Sequence, residues 1–372
     1  MIRDTALIEK REELKRRLTA GEYKTLVDVF LEWFDKLFQK ITRQPKPLSI
    51  WAITIILTAA INLIGFIAVN VIDDTVFVLE FLRSNEILGL LTVILASFLA
   101  IASAIVINQY VNRIFTFWSE NVFDLIESVE SLMRFEDWLQ RVSNRKLHLF
   151  VTIAGGIIAG VGMSFLISER VGVFIGYATT FTNIAVSMFS AAFVHLLFMV
   201  VFLSASLQHY DIKLFGTDPS SSKIVYRLSN ELSFVSFLVA IYAAVLTLIA
   251  AWGDFLPSFG VFVILFLWLP IIALFTLNQT SLSRIIRRVK WKTLNEVQVK
   301  VEKLQTAKNF GNLETMDAIR RLMDYHDRVK ATRDSALDFR TYLSFFNSLL
   351  LPLLAFILGN LDLVLKLFAS TP

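Results

Sequence analysis

The chain has 372 residues, of which 55% are hydrophobic and only 18% charged, at a mean hydropathy of +0.62. Soluble domains carry about 25% charged residues, so this composition disfavours a soluble globular enzyme. There is no cysteine, which excludes disulfide scaffolds, thiolate metal sites and cysteine nucleophiles. The net charge is +4, and its distribution along the chain matters more than its size.

Residues 1–47 contain 11 Lys and Arg residues and no long apolar run. Thr19 and Glu22 have the spacing of a capping box for a helix reaching Lys40. Leu26, Phe30, Trp33, Phe34, Leu37 and Phe38 give that helix a broad apolar face. Such a face either packs on a helical bundle or lies at a membrane interface. The first apolar run starts at residue 48 and is too long for a signal peptide, so it is expected to remain in the mature chain.

Seven runs without Asp, Glu, Lys or Arg follow, at 48–71, 87–108, 149–167, 182–208, 232–253, 257–279 and 341–361. A helix needs about 20 apolar residues to cross the hydrocarbon core, and each run is close to that length. The strands of a β-barrel would be about 10 residues long with alternating polarity, a pattern these runs lack. The expected fold class is therefore all-α, a polytopic membrane protein with seven transmembrane helices. Lys and Arg residues hold loops on the cytoplasmic side. Of the 36 Lys and Arg residues, 33 lie before residue 48 or in the 109–148, 209–231 and 280–340 connections. This places the N-terminus inside and the C-terminus outside.

The inside connections are long and patterned. Val111, Ile114, Phe115, Trp118, Val122, Leu125, Ile126, Val129, Leu132 and Met133 recur at helical spacing and predict that the second span continues as a helix. Asp218-Pro219 predicts an N-cap with Pro in the first turn, ahead of a helix leading into the fifth span. In 280–340, one amphipathic stripe runs through Ile286, Val289, Leu294, Val297, Val301 and Leu304. A second runs through Leu313, Met316, Ile319, Leu322, Met323 and Val329, with Asn309-Phe310-Gly311-Asn312 as the turn between. This is a helical hairpin with 14 basic and 8 acidic residues. The mixed signs read as a solvated face, and no nucleic-acid partner is expected. Four parts follow from this layout: N-terminal amphipathic helices in 1–47, a six-helix membrane bundle with helical loops in 48–279, the hairpin in 280–340, and a final span with an external C-terminus in 341–372.

Catalytic signatures are sparse. There is no phosphate-binding Gly-x-x-x-x-Gly-Lys-Ser/Thr loop and no His-Glu-x-x-His pair. No enzyme, cofactor or metal is expected. His195 is the one histidine deep in a span, and its default partner is a neighbouring serine or backbone carbonyl. Ser164, in Gly162-Met163-Ser164-Phe165, together with His195 resembles an intramembrane serine protease, but that family has Gly where this chain has Phe165. Gly156 and Gly160 have the spacing that lets two membrane helices approach closely. With no charged residue in any run, a path lined by polar, backbone and apolar groups fits better than an ion-coupled pump.

The layout resembles the seven-transmembrane ion channel superfamily, which includes insect odorant and gustatory receptors. The resemblance covers nearly the whole chain as architecture: seven spans, an internal N-terminus, long helices beneath the spans, and a cytoplasmic helix entering a last span at the extreme C-terminus. The gustatory motif of Thr-Tyr, five apolar residues and Gln-Phe is only partly matched, because Ser348-Leu349 stands where Gln-Phe would follow Thr341-Tyr342, and no residue is carried over from it. The resemblance implies a tetramer assembled through the 280–340 anchor, with 341–361 lining a pore.

On that reading the candidate pore-lining residues are Ser344, Asn347, Ser348, Leu351, Leu354, Leu358, Asn360 and Asp362. The leucines share one helix face as a dewetting gate, and Asp362 sits at the outer mouth. The candidate anchor residues are Val297, Val301, Leu304, Ile319 and Leu322. Phe66, Phe165, Tyr177, Phe181, Trp252 and Phe262 are candidates for a pocket taking a small apolar ligand, against the alternative of an interfacial aromatic belt. The expected function is a homo-oligomeric, ligand-gated, cation-permeable channel of the cell membrane, with the lipid bilayer as its main partner. The alternatives are a receptor, scaffold or effector signalling through the cytoplasmic helices, and a transporter of small solutes or lipids.

Overall fold

The computed structural model describes residues 2–43, 46–73, 87–171, 179–252, 268–306 and 313–335. Among the described residues there is no β-strand, and a single β-bridge joins Ile126 to Ile212. The helices are α1 (Ile2–Thr19), α2 (Leu26–Thr42), α3 (Ile50–Asp73), α4 (Ile87–Phe117), α5 (Val129–Val142), α6 (Arg145–Val171), α7 (Thr180–Ser206), α8 (Lys223–Trp252), α9 (Leu269–Thr306) and α10 (Leu313–Ala331). Five segments are long and apolar enough to cross a membrane: Ile50–Ala68, Val93–Leu125, Arg145–Phe165, Thr180–His209 and Lys223–Thr247. That is the make-up of a multi-pass membrane protein. These five correspond to the first five apolar runs. The sixth is described only from residue 268, and the seventh lies outside the described residues.

The basic end of the bundle begins with α1, which lies within the 1–47 segment expected to form amphipathic helices. α1 enters the core through Leu14, with Leu7 and Leu18 packed against the same cluster, and is fastened to its neighbours by charge. Its Lys10 Nζ lies 2.8 Å from Glu136 of α5, its Lys15 bonds Asp124 at 2.9 Å, and Arg17 pairs with Glu136 as well. Arg17 also lies 5.0 Å over the Tyr23 ring. Burial alone would raise the Glu136 carboxyl, but the bonds and charges of Lys10 and Arg17 outweigh it and hold the carboxyl below its ordinary value. Lys10 is raised, chiefly by its bond to Glu136, and burial pushes Tyr23 up to about 12.

A depressed carboxyl contributes stability that is present above its unfolded value and lost as pH falls through its folded one. The docking of α1 should therefore hold at neutral pH and fail in acid. Glu136→Gln should loosen α1 by about 2 kcal/mol, the size of a charge-assisted hydrogen bond. Hydrogen exchange of residues 2–19 measures this, and unchanged protection in the variant would refute it.

α1 ends where Gly21 takes a left-handed φ of 69°. The Thr19 hydroxyl bonds back to the Lys15 carbonyl, so the capping box expected at Thr19 forms instead between Thr25 and Asp28. Asp28 does double duty, accepting from Asn108 at 2.6 Å and Asn112 at 2.9 Å, which docks the start of α2 on α4. One face of α2 packs on the bundle, with Phe30 edge-on to Phe189 at 5.9 Å. The other leaves Trp33, Leu37 and Ile41 exposed at four-residue steps beside exposed Lys36 and Lys40. That stripe suits the boundary between headgroups and acyl chains. Of the two alternatives read from the sequence, packing on the bundle is observed for one face.

The second span runs past the bundle, as its periodicity predicted, but not as one helix. It passes through a π-turn at Trp118–Val122 and a 3-10 turn at Phe123–Leu125, then breaks. Ser128 caps α5 afresh by accepting from the Ser131 amide. The break lets Glu127 N–H bond the Asp211 carbonyl and Lys213 N–H bond the Leu125 carbonyl. The side chains gathered here include the largest fully buried ones among the described residues. Trp118 stacks on Phe135 at 4.3 Å and meets Tyr210 edge-on at 5.2 Å, and the Trp138 indole donates to the Met199 carbonyl.

α6 and α7 approach each other closely along a glycine seam. A Cβ placed on Gly160 would come within 2.4 Å of the Ile184 Cα, and one on Gly156 within 3.0 Å of the Met188 Cα. The glycine spacing thus has the use expected of it. Asp218 caps the 3-10 turn Pro219–Ser221 by accepting from the Ser220 amide, and α8 follows from Lys223 as anticipated. α9 spans 38 residues without a break, from the sixth apolar run into the hairpin, and α10 folds back along it.

Candidate functional site

Most buried hydroxyls in the apolar helices are spent on their own backbone. Thr54, Thr58 and Asn62 each bond the carbonyl four residues back, as do Ser97, Ser204 and Thr247. Such back-bonding satisfies the group and leaves little to offer a ligand. The polar groups that reach another helix are fewer. Tyr110 donates to the Glu231 carbonyl at 2.7 Å, Arg113 pairs with the Glu231 carboxylate at 2.6 Å, and Asn278 donates to the Leu232 carbonyl at 3.1 Å. These tie α4, α8 and α9 together at the basic end.

A second group remains chemically open. His148, in the first turn of α6, lies against His195 of α7, with ring centroids 4.5 Å apart and planes inclined by 32°. The expected serine or carbonyl partner of His195 Nε2 is not found. Neither nitrogen of His148 has a hydrogen-bond partner, and the Thr152 hydroxyl one turn along α6 also lacks one. The spacing of 148 and 195 carries no local signal. Only the antiparallel pairing of α6 with α7, fixed by the glycine seam, brings these residues together.

Ser164 and His195 do not form a catalytic pair. Ser164 donates to the Gly160 carbonyl and accepts from Asn183 at 3.0 Å. Asn183 and His195 lie about 18 Å apart along α7, at 1.5 Å per residue. Among the described residues no group of three or more His, Asp or Glu side chains is placed to hold a metal ion.

The candidate pore residues Ser344, Asn347, Ser348, Leu351, Leu354, Leu358, Asn360 and Asp362 lie outside the described residues. So do Tyr177, Phe262 and the side chain of Trp252 among the pocket candidates. Phe165 is 65% exposed and Phe181 62%, so these two rings stand on the outer surface, where an aromatic belt would place them, while Phe66 is half-buried. In the hairpin, Val297 and Val301 are buried and Leu304, Ile319 and Leu322 half-buried within the single chain. The stripe assigned to subunit contact is thus covered largely by the chain's own helices. A different stripe stays open on α10: Leu313 is 84% exposed, and Met316 and Met323 are exposed with it.

No known family model, curated protein or solved structure matches the chain.

Proposed function

We propose that the chain is one subunit of a homo-oligomeric, ligand-gated, cation-permeable channel of the cell membrane, related in layout to the seven-transmembrane ion channel superfamily. On this reading the basic end is cytoplasmic and the 341–361 run lines the pore. The observation that carries the proposal is α9, a single unbroken helix from Leu269 to Thr306 that joins the apolar bundle to the basic hairpin. A movement in either part is then delivered to the other, as gating requires. The open Leu313, Met316 and Met323 face of α10 is the apolar surface available for contact between subunits.

The test is electrical. Reconstituted protein should conduct, Leu354→Ser should raise basal conductance, and Asp362→Lys should weaken cation preference. If both the wild type and Leu354→Ser are silent while folded and oligomeric, the channel reading is wrong. One observation favours a receptor or scaffold instead. Among the described residues the largest fully buried side chains, Trp118, Tyr210, Phe123 and Phe135, lie in the platform at the basic end, as a rigid docking body would have them. That reading predicts silent bilayers and an intact assembly.

A further inference from the structure

α2 is held beside the start of the first membrane-crossing segment. Its Phe30, Leu31 and Phe34 pack on a cluster that contains Ile53 and Leu57, from the first two turns of α3. Its Asp35 carboxylate accepts from the Leu48 amide at 2.8 Å, which ties the middle of α2 to the residue that opens the first apolar run. The crossing segment itself begins two residues later, at Ile50. In that first turn and the next, Trp51 and Ile55 are exposed apolar side chains. On α2, Trp33 is 56% exposed and Ile41 71%, with Leu37 between them. At 3.6 residues per turn these three fall within an arc of about 80°, and Lys36 and Lys40 form the neighbouring row.

The charges of this face are unbalanced. Lys36, Lys40, Arg43 and Lys46 are exposed, and none makes an ion pair among the described residues. The acids of α2 are already occupied. Glu32 pairs with Lys24, Asp35 accepts from Gln39 and Leu48, and Asp28 serves Asn108 and Asn112. Cations beside an apolar strip, at the level where a span begins, match the layer in which a bilayer carries its headgroups. Lys and Arg lay their stems along apolar surface and keep their charges in the polar layer. Each such residue near an acidic membrane strengthens binding roughly fivefold. A symmetric contact with a second copy would set these rows like against like. We propose that this face of α2 docks on an anionic lipid leaflet. Trp33, Leu37 and Ile41 enter the acyl boundary, and Lys36, Lys40, Arg43 and Lys46 hold the acidic headgroups. This role does not depend on whether the chain conducts.

The chain has no cysteine, so a single introduced one carries a label alone. The test places bimane on Leu37→Cys of the full chain, in nanodiscs of phosphatidylcholine with about one phosphatidylserine in three. Lipids brominated on the acyl chain quench a label that they touch. At equal amounts, brominated phosphatidylserine should quench position 37 about twofold more than brominated phosphatidylcholine, and added salt should reduce the difference. Ile64→Cys is the control, an exposed position about 21 Å along α3 from Ile50 at 1.5 Å per residue. It should be quenched equally by both lipids. Replacing Lys36, Lys40, Arg43 and Lys46 together by Gln should remove the preference at 37 and leave the quenching by phosphatidylcholine. All four are exposed, so the fold should survive. A label at 37 that neither lipid quenches would mean that protein or water covers the face, and would overturn the proposal. Equal quenching by the two lipids would show no headgroup selection and overturn it as well. A preference that survives the four substitutions would belong to other basic residues, and the assignment to α2 would be wrong.

Discussion

Gly160→Ala should destabilise the folded bundle by about 3 kcal/mol, the upper part of the range for overpacked sites, while Gly162→Ala should leave it unchanged. The added Cβ at 160 would sit 2.4 Å from the Ile184 Cα and 2.6 Å from its nitrogen, atoms that belong to the facing backbone. No rotamer change relieves that clash, so α6 and α7 must separate along their whole contact. At 162 a Cβ meets nothing within 4 Å. Between these limits the series should be graded. At 156 the first atom met is Met188 Cγ at 2.4 Å, a flexible side chain that can yield, although the Met188 Cα stands at 3.0 Å. At 155 it is the Ala191 Cβ at 3.0 Å, a small adjustment. Reversible unfolding in mixed micelles reads the order 160, 156, 155, 162 from worst to harmless. An equal gain at 160 and 162 would show that helix propensity, which favours alanine over glycine, and not backbone contact controls these positions.

Trp118→Ala should cost about 3–5 kcal/mol, the usual loss for emptying a large aromatic site in a core. The indole is 1% exposed and shared by three pieces of chain: the π-turn that carries it, Phe135 of α5, and Tyr210 after α7. The cavity would open where these pieces meet, and none can close it without releasing the others. Trp291 on α9 is 61% exposed, and Trp291→Ala should change stability by no more than about 0.5 kcal/mol. Thermal midpoints and near-ultraviolet circular dichroism separate the two. A Trp118 variant as stable as the Trp291 one would show that the platform is not a packed unit.

What could be read from the residues follows the range of the force involved. The spans, the glycine seam and the Asp218 cap are set by neighbours along the chain or one helical turn away, and the sequence displays them. α1 packs through Leu7, Leu14 and Leu18, but the ion pairs that fasten it are not legible in the sequence: Lys10 and Arg17 reach a carboxylate more than a hundred residues away, and no period records that. The displaced capping box has a local cause that composition hides, since Thr19 bonds its own helix and Gly21 ends it. The break before α5 depends on backbone bonds to residues 211 and 213, which apolar spacing alone runs straight through. The hairpin stripe was legible as apolar, but whether it faces α10 or a second subunit is a question of tertiary packing. The histidine pair is the extreme case, being visible only once two helices are laid side by side.

Lys290 bonds the Thr332 carbonyl at 2.6 Å and the Asp334 carboxylate at 2.9 Å, and its side chain is 9% exposed. In polymer terms, this contact turns a 44-residue excursion into a closed ring. Much of the entropy of closing that ring is already met by the packing of α10 along α9, so a single buried ammonium can act as the clasp. The chain therefore leaves the hairpin from beside the middle of α9, not from its far tip. Lys290 lies eleven residues beyond Gln279, about 16 Å along the helix from the end of the sixth apolar run. The point of departure for everything after residue 335 is thus fixed to the same helix that leaves the bundle.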